Sequence, residues 1–339
     1  MMKNPPKRHH EVSKTYLKQF SINPKERQTR SFINCLRIHP NKKIESKSID
    51  SDFFKSDNFY TLNTSNPFEL EEKLARDIEP KFNDIMSHIN QEIILSRNAK
   101  LDLLIWIWVS KYRNSHYRKT IEQHINFINA IKVQYSNEFR TEFNELKEEF
   151  RKWTRAFAKH EQLSSLFNLD HFLFFQSGMV NKHWIVLKSN VNNRFITNDN
   201  PGFSVDFNGG KPDYETVNVQ FATKHETTNY YPLSPGYCLM ISPFSMDTPP
   251  TLNYWNLKLR YVETNDRHID FINGAAYFLI RKFCVANNNK FLQKYLDINL
   301  PAQKVYSSLP ISPVGGVLIR EGEEDLTEVN REPDLNRKE

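Results

Sequence analysis

The sequence predicts an α+β protein in which an N-terminal block of long helices packs against a C-terminal antiparallel β region with a final helix. Two patterns support this fold class. Between residues 66 and 180, apolar residues recur every three or four positions, as on the buried face of a helix. Between about residues 182 and 263, short β-prone segments alternate with Asn, Gly and Pro turns, which is typical of antiparallel strands. Helices and strands that are segregated along a chain indicate α+β rather than α/β.

Four segments follow from these patterns. Residues 1–50 form a basic N-terminal arm with a short helix and a strand, and residues 66–180 form the helical block. Residues 181–312 form the antiparallel β region with the C-terminal helix, and residues 313–339 form an acidic tail that frays. A chain of 339 residues is long enough for one large domain or two ordinary ones, and we expect residues 1–312 to form one compact domain.

The arm is predicted to dock onto the body through a short helix. Ser13 has the side chain of a helix N-cap, and three apolar residues follow on one side at helical spacing. These residues are Tyr16, Leu17 and Phe20. Residues 29–38 are predicted as a strand and residues 53–63 as an aromatic-rich loop.

Three long helices are predicted in the helical block. The first begins at Asn66, a capping residue followed by proline, and is kinked near Pro80. The second covers residues 99–131 and the third covers residues 137–167. A final helix over residues 270–286 follows the β region.

Composition and charge argue against several classes of protein. The chain has no run of about 18 apolar residues, and its three cysteines form no CxxC pair. We therefore expect a cytoplasmic protein with no membrane segment, no disulfide framework and no thiolate zinc site. The net charge of +6 is uneven, because residues 1–47 carry twelve Lys and Arg against three Glu, and residues 320–339 carry eight acids against four bases. A basic arm attracts phosphate over long range, although Lys-rich ends also serve only to keep a protein soluble.

Three short segments carry candidate chemistry. His9 and His10 are adjacent, so on a helix or a strand their side chains diverge, and their spacing is not a metal motif. Residues 111–119 are rich in cations, which indicates phosphate recognition or simply a solvated helix face. Asp199 follows a short strand, where a carboxylate can bind a metal, act as a base or form a turn. The chain has no P-loop and no GxGxxG, so no nucleotide cofactor is expected.

Six weak motifs occur in a fixed order along the chain. They are His9-His10 with a "YL-x-x-F" helix at Tyr16, Leu17 and Phe20; "FYTLN" with a Glu-rich helix that contains Glu72 and Glu79; an Arg-rich helix from Arg113 to Arg118; "F-[IL]-T-[ST]-D-N-P" at Phe195 to Pro201; "P-L-[ST]-P" at Pro232 to Pro235; and a helix with a central Asn273. In this order they resemble, over nearly the whole chain, the bacterial family called domain of unknown function 4238. The sequence departs from the pattern at Asn198, at Asn114-Ser115, and at Glu11, where an aromatic residue or Val is more typical.

The resemblance implies a fold more than a function, and it draws attention to a polar set from widely separated segments. The set consists of His9, His10, Glu79, Arg113, Asp199 and Asn200. Such a set is typical of a composite site, in which His, Glu and Asp suit a hard divalent ion and Arg suits a phosphate.

The first hypothesis is a metal-assisted hydrolase of phosphodiesters, a nuclease-like toxin or phage-defence effector in which this polar set is catalytic. His10, Glu79 and Asp199 would hold a divalent metal (Mg, Mn or Zn) and activate its water. Arg113 would stabilise the phosphate in the transition state. The predicted substrate-binding residues, for nucleic acid or a nucleotide, are Arg113, Arg118, Lys18 and Asn273.

The second hypothesis is a non-catalytic module that binds nucleic acid or a protein. The same residues would then form a hydrogen-bond network that joins the arm, the helical block and the β region. Stability separates the two hypotheses, because His10→Ala or Arg113→Ala should lower the melting temperature of a structural network. In an active site, many such changes should be neutral or stabilising.

Overall fold

The computed structural model describes residues 8–23, 31–57, 59, 69–206, 217–218, 226–243, 259–299, 304–309 and 312–317. Within these ranges the chain is α+β, as predicted, with most of its helices between residues 69 and 180. The predicted helix start at Asn66 lies outside the described residues. None of the helices in the described part of the chain has the length and hydrophobicity needed to cross a bilayer.

The helices follow the predicted order. They are α1 Lys14–Gln19, α2 Glu69–Lys73, α3 Glu79–Asn90, α4 Arg97–Tyr112, α5 Ser115–Tyr135, α6 Asn137–Glu145, α7 Lys147–Phe167, α8 Leu169–Val180, α9 Asp266–Phe278 and α10 Lys290–Gln293. Ser13 caps α1 as predicted, because its side-chain oxygen accepts a hydrogen bond from the Thr15 N–H.

Two of the predicted long helices are each divided in two. The helix predicted over residues 99–131 is interrupted at Asn114, whose backbone is extended and whose side chain caps α5 by accepting from the Tyr117 N–H at 3.1 Å. The helix predicted over residues 137–167 is interrupted at Leu146, which leaves helical geometry between α6 and α7.

The remaining helix predictions differ from the structure near Pro80 and near the C-terminus. The predicted kink takes the form of a π-helical turn, Leu74–Ile78, that lies between α2 and α3. Pro80 stands in the first turn of α3, where its missing N–H leaves no intrahelical bond unmade. The helix predicted over residues 270–286 ends at Phe278, and the short apolar run Phe283–Ala286 forms a buried strand instead.

The strands form two larger sheets and two strand pairs within the described residues. They are β1 Arg8–His10, β2 Phe32–Arg37, β3 Lys43–Ser48, β4 Lys55–Asp57, β5 His183–Lys188, β6 Thr197–Asn198, β7 Phe203–Asp206, β8 Val217–Asn218, β9 Thr227–Ser234, β10 Tyr237–Ser242, β11 Arg260–Glu263, β12 Phe283–Ala286, β13 Lys304–Leu309 and β14 Ser312–Val317. The larger sheets have the orders β11-β5-β10-β9-β7-β8 and β3-β2-β12-β6, while β1 pairs with β4 and β13 with β14. Most pairs are antiparallel, but β11 runs parallel to β5, so the largest sheet is mixed.

Two segments predicted as irregular contain regular structure. The segment predicted as a loop over residues 53–63 includes β4, which pairs with β1, and Asn58 and residues 60–63 lie outside the described residues. Residues 312–317, at the start of the predicted frayed tail, form β14, and residues 318–339 lie outside the described residues.

The arm, the helical block and the β region meet at Tyr16. Its ring lies 6.1 Å from that of Phe82 in α3 and 5.7 Å from that of Tyr231 in β9, measured between centroids. Its hydroxyl donates to the Pro232 carbonyl at 2.6 Å and lies 2.8 Å from Thr197 Oγ1. One fully buried side chain therefore holds together three parts of the chain that are distant in sequence.

We expect Tyr16→Phe to lower the free energy of unfolding by about 1–3 kcal/mol, because the Pro232 carbonyl and the Thr197 hydroxyl lose a partner inside the core. Urea denaturation measures this change. The matched control is Tyr135→Phe, whose side chain is 81% exposed and which should stay within about 0.5 kcal/mol of wild type. Equal effects of the two substitutions would contradict the role given to Tyr16.

Candidate functional site

The six predicted catalytic residues lie in a buried polar network. Five of them, all except Glu79, are less than 7% exposed, and the Glu79 side chain is 22% exposed. Their polar atoms form hydrogen bonds or ion pairs with other protein groups.

Glu79 and Arg113 form an ion pair within the helical block, and both residues also bond to the arm. Glu79 Oε1 accepts hydrogen bonds from Ser13 Oγ at 2.8 Å and from an Arg113 terminal nitrogen at 3.1 Å. Glu79 Oε2 accepts from Thr15 Oγ1 at 3.1 Å. Arg113 also donates to the His10 carbonyl at 3.4 Å, so its guanidinium links α4 to β1.

Asp199 holds the turn that connects α9 to β12. Its carboxylate accepts from the backbone N–H of Arg281 at 3.1 Å and from that of Lys282 at 2.8 Å. His116 Nε2 lies 3.5 Å from Asp199 Oδ2. Burial lowers the pKa of His116, although the nearby Asp199 acts in the opposite direction, so the imidazole is neutral at pH 7.

Asn200 fixes the junction between α4 and α5. Its Oδ1 accepts from Asn114 Nδ2 at 2.8 Å and from Lys111 Nζ at 3.1 Å. Gln162 on α7 also donates to the Asn114 carbonyl at 2.8 Å. Burial holds the pKa of Lys111 well below its ordinary value.

His9 and His10 diverge, as expected of neighbours on a strand. His9 Nε2 lies 3.0 Å from Glu71 Oε2, and His10 Nε2 lies 2.9 Å from the Ile49 carbonyl, to which it donates. Burial lowers the pKa of His10 to about 4, although the hydrogen bond to Ile49 acts in the opposite direction.

The structure does not bring the predicted metal ligands together. His10, Glu79 and Asp199 each contact a different set of protein groups. In the described ranges, no group of three or more His, Cys, Asp or Glu side chains is arranged to hold a metal ion. A metal site formed by the predicted trio stays a prediction.

The other predicted substrate-binding residues are dispersed. Both ends of the Asn273 amide are used, since it accepts from the Ile196 N–H at 2.9 Å and donates to the Arg194 carbonyl at 2.8 Å. Lys18 lies in the last turn of α1 and does not line the cleft at α5 and α7. Arg118 lines that cleft.

A cleft of about 460 Å³ lies where α5 and α7 approach the arm and the α9–β12 turn. Six of its lining residues are Lys or Arg and three are Asp or Glu, so we call it the basic cleft. Its lining consists of Glu11, Ser56, Asp57, Phe59, Ser115, Arg118, Lys119, Glu122, Arg155, Ala156, Lys159, Arg281 and Lys282.

Arg281 is the most unusual residue of the basic cleft. It is 7% exposed, and the Nε of its guanidinium is buried without a hydrogen bond among the described residues. A buried cation without a partner is costly unless an anion completes it. Ser115 begins α5, so the positive end of a helix dipole also faces the cleft.

Glu11 is a buried carboxylate at the edge of the same cleft. Its Oε1 accepts from Lys282 Nζ at 2.6 Å and from the Ser56 hydroxyl. Burial alone would raise the pKa of Glu11, but the Lys282 ammonium, with the Ser56 and Ser115 hydroxyls near the carboxylate, outweighs it and lowers the pKa to about 2. Glu11 is therefore ionised at neutral pH.

A second cleft, of about 420 Å³, is apolar. Its lining comes from α2, the π-helical turn, α4, α7 and α8, and Lys73, Asp77 and Asn168 are its polar members. These three residues do not form a convergent set of charges, so the basic cleft is the better candidate for recognition of a charged ligand.

The sequence model of the family described as "Protein of unknown function (DUF4238)" matches residues 8–290. The chain belongs to the DUF4238 family. No curated protein and no solved structure matches it. The part of this DUF4238 protein that matches the family contains the whole polar network and every lining residue of the basic cleft.

Sequence reasoning missed most of the cleft in this DUF4238 protein. Arg281 and Lys282 are a charged pair inside an apolar run, which is a signal for cations held at a buried edge. Arg155 and Lys159 lie four residues apart on α7 and so share one face. For Glu11, the only signal in the sequence is its departure from the expected family pattern.

We expect Arg113→Ala to lower the free energy of unfolding by about 3 kcal/mol, because it leaves the Glu79 carboxylate without its cation. Thermal and urea denaturation measure this loss. Arg76→Ala removes an exposed pair with Asp77 and should change stability by less than about 1 kcal/mol. A neutral or stabilising Arg113→Ala would favour the active-site interpretation over the structural one.

We expect the stability of the protein to fall between pH 7 and pH 5, in part through His10. Because folding lowers the pKa of His10 from 6.5 to about 4, the folded protein binds fewer protons than the unfolded chain between these values. Stability is therefore lost as the pH falls below 6.5, by about 2 kcal/mol at pH 5.

His10→Gln cannot titrate, so its unfolding free energy should depend less on pH over this range, as measured by urea denaturation at each pH. His160→Gln, at an exposed position, is the control and should keep the wild-type pH dependence. Glu11 loses its contribution only as the pH falls from about 4.5 towards 2, outside the measured range. The same pH dependence in wild type and His10→Gln would show that His10 is not responsible.

Proposed function

We propose that this DUF4238 protein binds a phosphate-bearing ligand, a nucleic acid or a nucleotide, in the basic cleft. The observation that supports this most directly is Arg281, a buried arginine whose guanidinium Nε has no hydrogen bond among the described residues. A phosphate group supplies the charge and the hydrogen-bond acceptors that such a guanidinium needs.

The surroundings of Arg281 favour an anion with several oxygen atoms. Arg118 and Arg155 line the same cleft, and the lining as a whole has an excess of three positive charges. Arg118 is held in place by Gln162 Oε1 at 2.7 Å and by the Phe59 carbonyl at 2.9 Å. A guanidinium that is already oriented loses little freedom when a phosphate binds.

The polar network serves, in this proposal, as the frame of the cleft. Asp199 fixes the backbone that carries Arg281 and Lys282. Asn200 fixes Asn114, the cap of the helix that carries Ser115 and Arg118 into the cleft. The residues predicted as catalytic thus position the cationic side chains and do not themselves line the cleft.

The metal-assisted hydrolase, whether a toxin or a phage-defence effector, stays a prediction. A binding module is the simpler function for a cationic cleft in which Glu11, Asp57 and Glu122 each pair with a Lys or Arg side chain. A cytoplasmic location belongs to the same proposal, and the free thiols of Cys35, Cys238 and Cys284 are consistent with a reducing compartment.

We expect the protein to bind phosphate-bearing ligands and Arg281→Gln to weaken that binding by about tenfold or more, because charge-assisted hydrogen bonds contribute about 1.5–3 kcal/mol. The measurement uses fluorescence anisotropy with labelled single-stranded RNA and DNA, and calorimetry with mononucleotides. For the oligonucleotides, the slope of log affinity against log salt should fall by about one in the variant.

The control for this experiment is Arg76→Gln, an exposed arginine outside the cleft, which should bind like wild type. Absence of binding to every oligonucleotide and nucleotide would falsify the proposal. Parallel incubation of oligonucleotides with Mg²⁺ or with EDTA tests the hydrolase, since Mg²⁺-dependent cleavage would restore that hypothesis.

A further inference from the structure

The basic cleft has two ends that differ in chemistry. The first pole is the Arg281 guanidinium, and the second pole, at Glu11, does not suit a phosphate. The Glu11 carboxylate lies at this pole, with one oxygen engaged by Lys282 and Ser56. Its other oxygen, Oε2, is buried and makes no hydrogen bond. Ser115 Oγ is near enough to help lower the pKa of Glu11, yet this hydroxyl is also buried without a hydrogen bond.

A carboxylate is unexpected in a site that binds an anion, because like charges repel. Glu11 is ionised at neutral pH and repels a phosphate that approaches it. An ionised carboxylate only accepts hydrogen bonds, whereas a serine hydroxyl both donates and accepts. Glu11 Oε2 and Ser115 Oγ are therefore suited to a hydroxyl or amino group and not to a second phosphate.

We propose that the ligand is a small sugar phosphate, such as a mononucleotide, whose phosphate binds at Arg281 and whose hydroxyl or amino donors bind at Glu11 and Ser115. This inference rests on the proposed function, because it assumes that the phosphate occupies the basic cleft. It adds a specificity element, since the second pole selects among phosphate compounds by the donors that they carry.

The size of the cleft agrees with a ligand of this class. Small-molecule sites commonly enclose about 300–1,000 Å³, and the basic cleft encloses about 460 Å³. Both poles belong to this single cleft, so one molecule with an anionic end and a donor end can contact them together.

Buried polar groups give such a site its selectivity. A site built to hydrogen-bond a hydroxyl discriminates strongly against an analogue that lacks it, because the buried partner is then left unpaired. Inorganic phosphate pairs with the Arg281 guanidinium but leaves Glu11 Oε2 and Ser115 Oγ without a hydrogen bond. Ribose 5-phosphate and a mononucleotide satisfy both poles.

The test is calorimetric titration of the full chain with inorganic phosphate, ribose 5-phosphate and the four ribonucleoside monophosphates. Wild type should bind the sugar phosphates at least about tenfold more tightly than inorganic phosphate. Glu11→Gln removes a repulsive charge and also an acceptor, so it should affect the two probes differently. Inorganic phosphate should bind as in wild type or more tightly, and the preferred sugar phosphate about tenfold more weakly.

Ser115→Ala is a second variant that keeps the test decisive if Glu11→Gln does not fold. It should weaken the sugar phosphate severalfold and leave inorganic phosphate unchanged. Arg281→Gln should weaken both probes, which shows that the phosphate lies at Arg281.

The outcomes separate this inference from the proposed function. Equal changes for both probes in Glu11→Gln and Ser115→Ala, with Arg281→Gln still impaired, overturn the second pole and leave the proposed function intact. If oligonucleotides bind but no monomeric sugar phosphate does, the second pole is again overturned and the proposed function stands. The ligand of the cleft is then a nucleic-acid chain. If no probe binds and Arg281→Gln resembles wild type, both proposals fail.

Discussion

The Asp199 carboxylate and its two backbone hydrogen bonds are the constraint on which the rest of the site depends. Asp199 is 1% exposed and follows β6, which pairs with β12 through Asn198 and Cys284. By accepting from two consecutive N–H groups just before β12, it fixes the turn after α9. Hydrogen bonds to a carboxylate are stronger than those between neutral groups, and low polarity around them strengthens them further.

The position of Asp199 also explains how the protein keeps a buried arginine. The carboxylate binds the Arg281 backbone and not its guanidinium, so the side chain is held near the cleft without being neutralised. Such an arrangement lowers stability and is typical of a site that is completed by a ligand. Arg113 shows the opposite arrangement, because its guanidinium is engaged by Glu79 and by the arm.

Local patterns in the sequence predicted the local structure. The Ser13 cap and the apolar side of α1 follow from residue type and spacing, and both are present. The division of the long helix at Asn114 was missed, because a strong apolar period on both sides outweighed one capping residue. The side chain of that residue also donates to Asn200 Oδ1, 86 positions away, which is a tertiary contact that no local pattern predicts.

The site was harder to predict because it is assembled by tertiary packing. The order of motifs identified the polar residues of the network, but no motif states whether a polar residue faces a ligand or a protein group. That distinction depends on burial, which places Asp199 behind the α9–β12 turn and Arg281 at the cleft. The two buried carboxylates of this region thus have different roles, since Asp199 fixes the backbone of the α9–β12 turn and Glu11 lines the cleft.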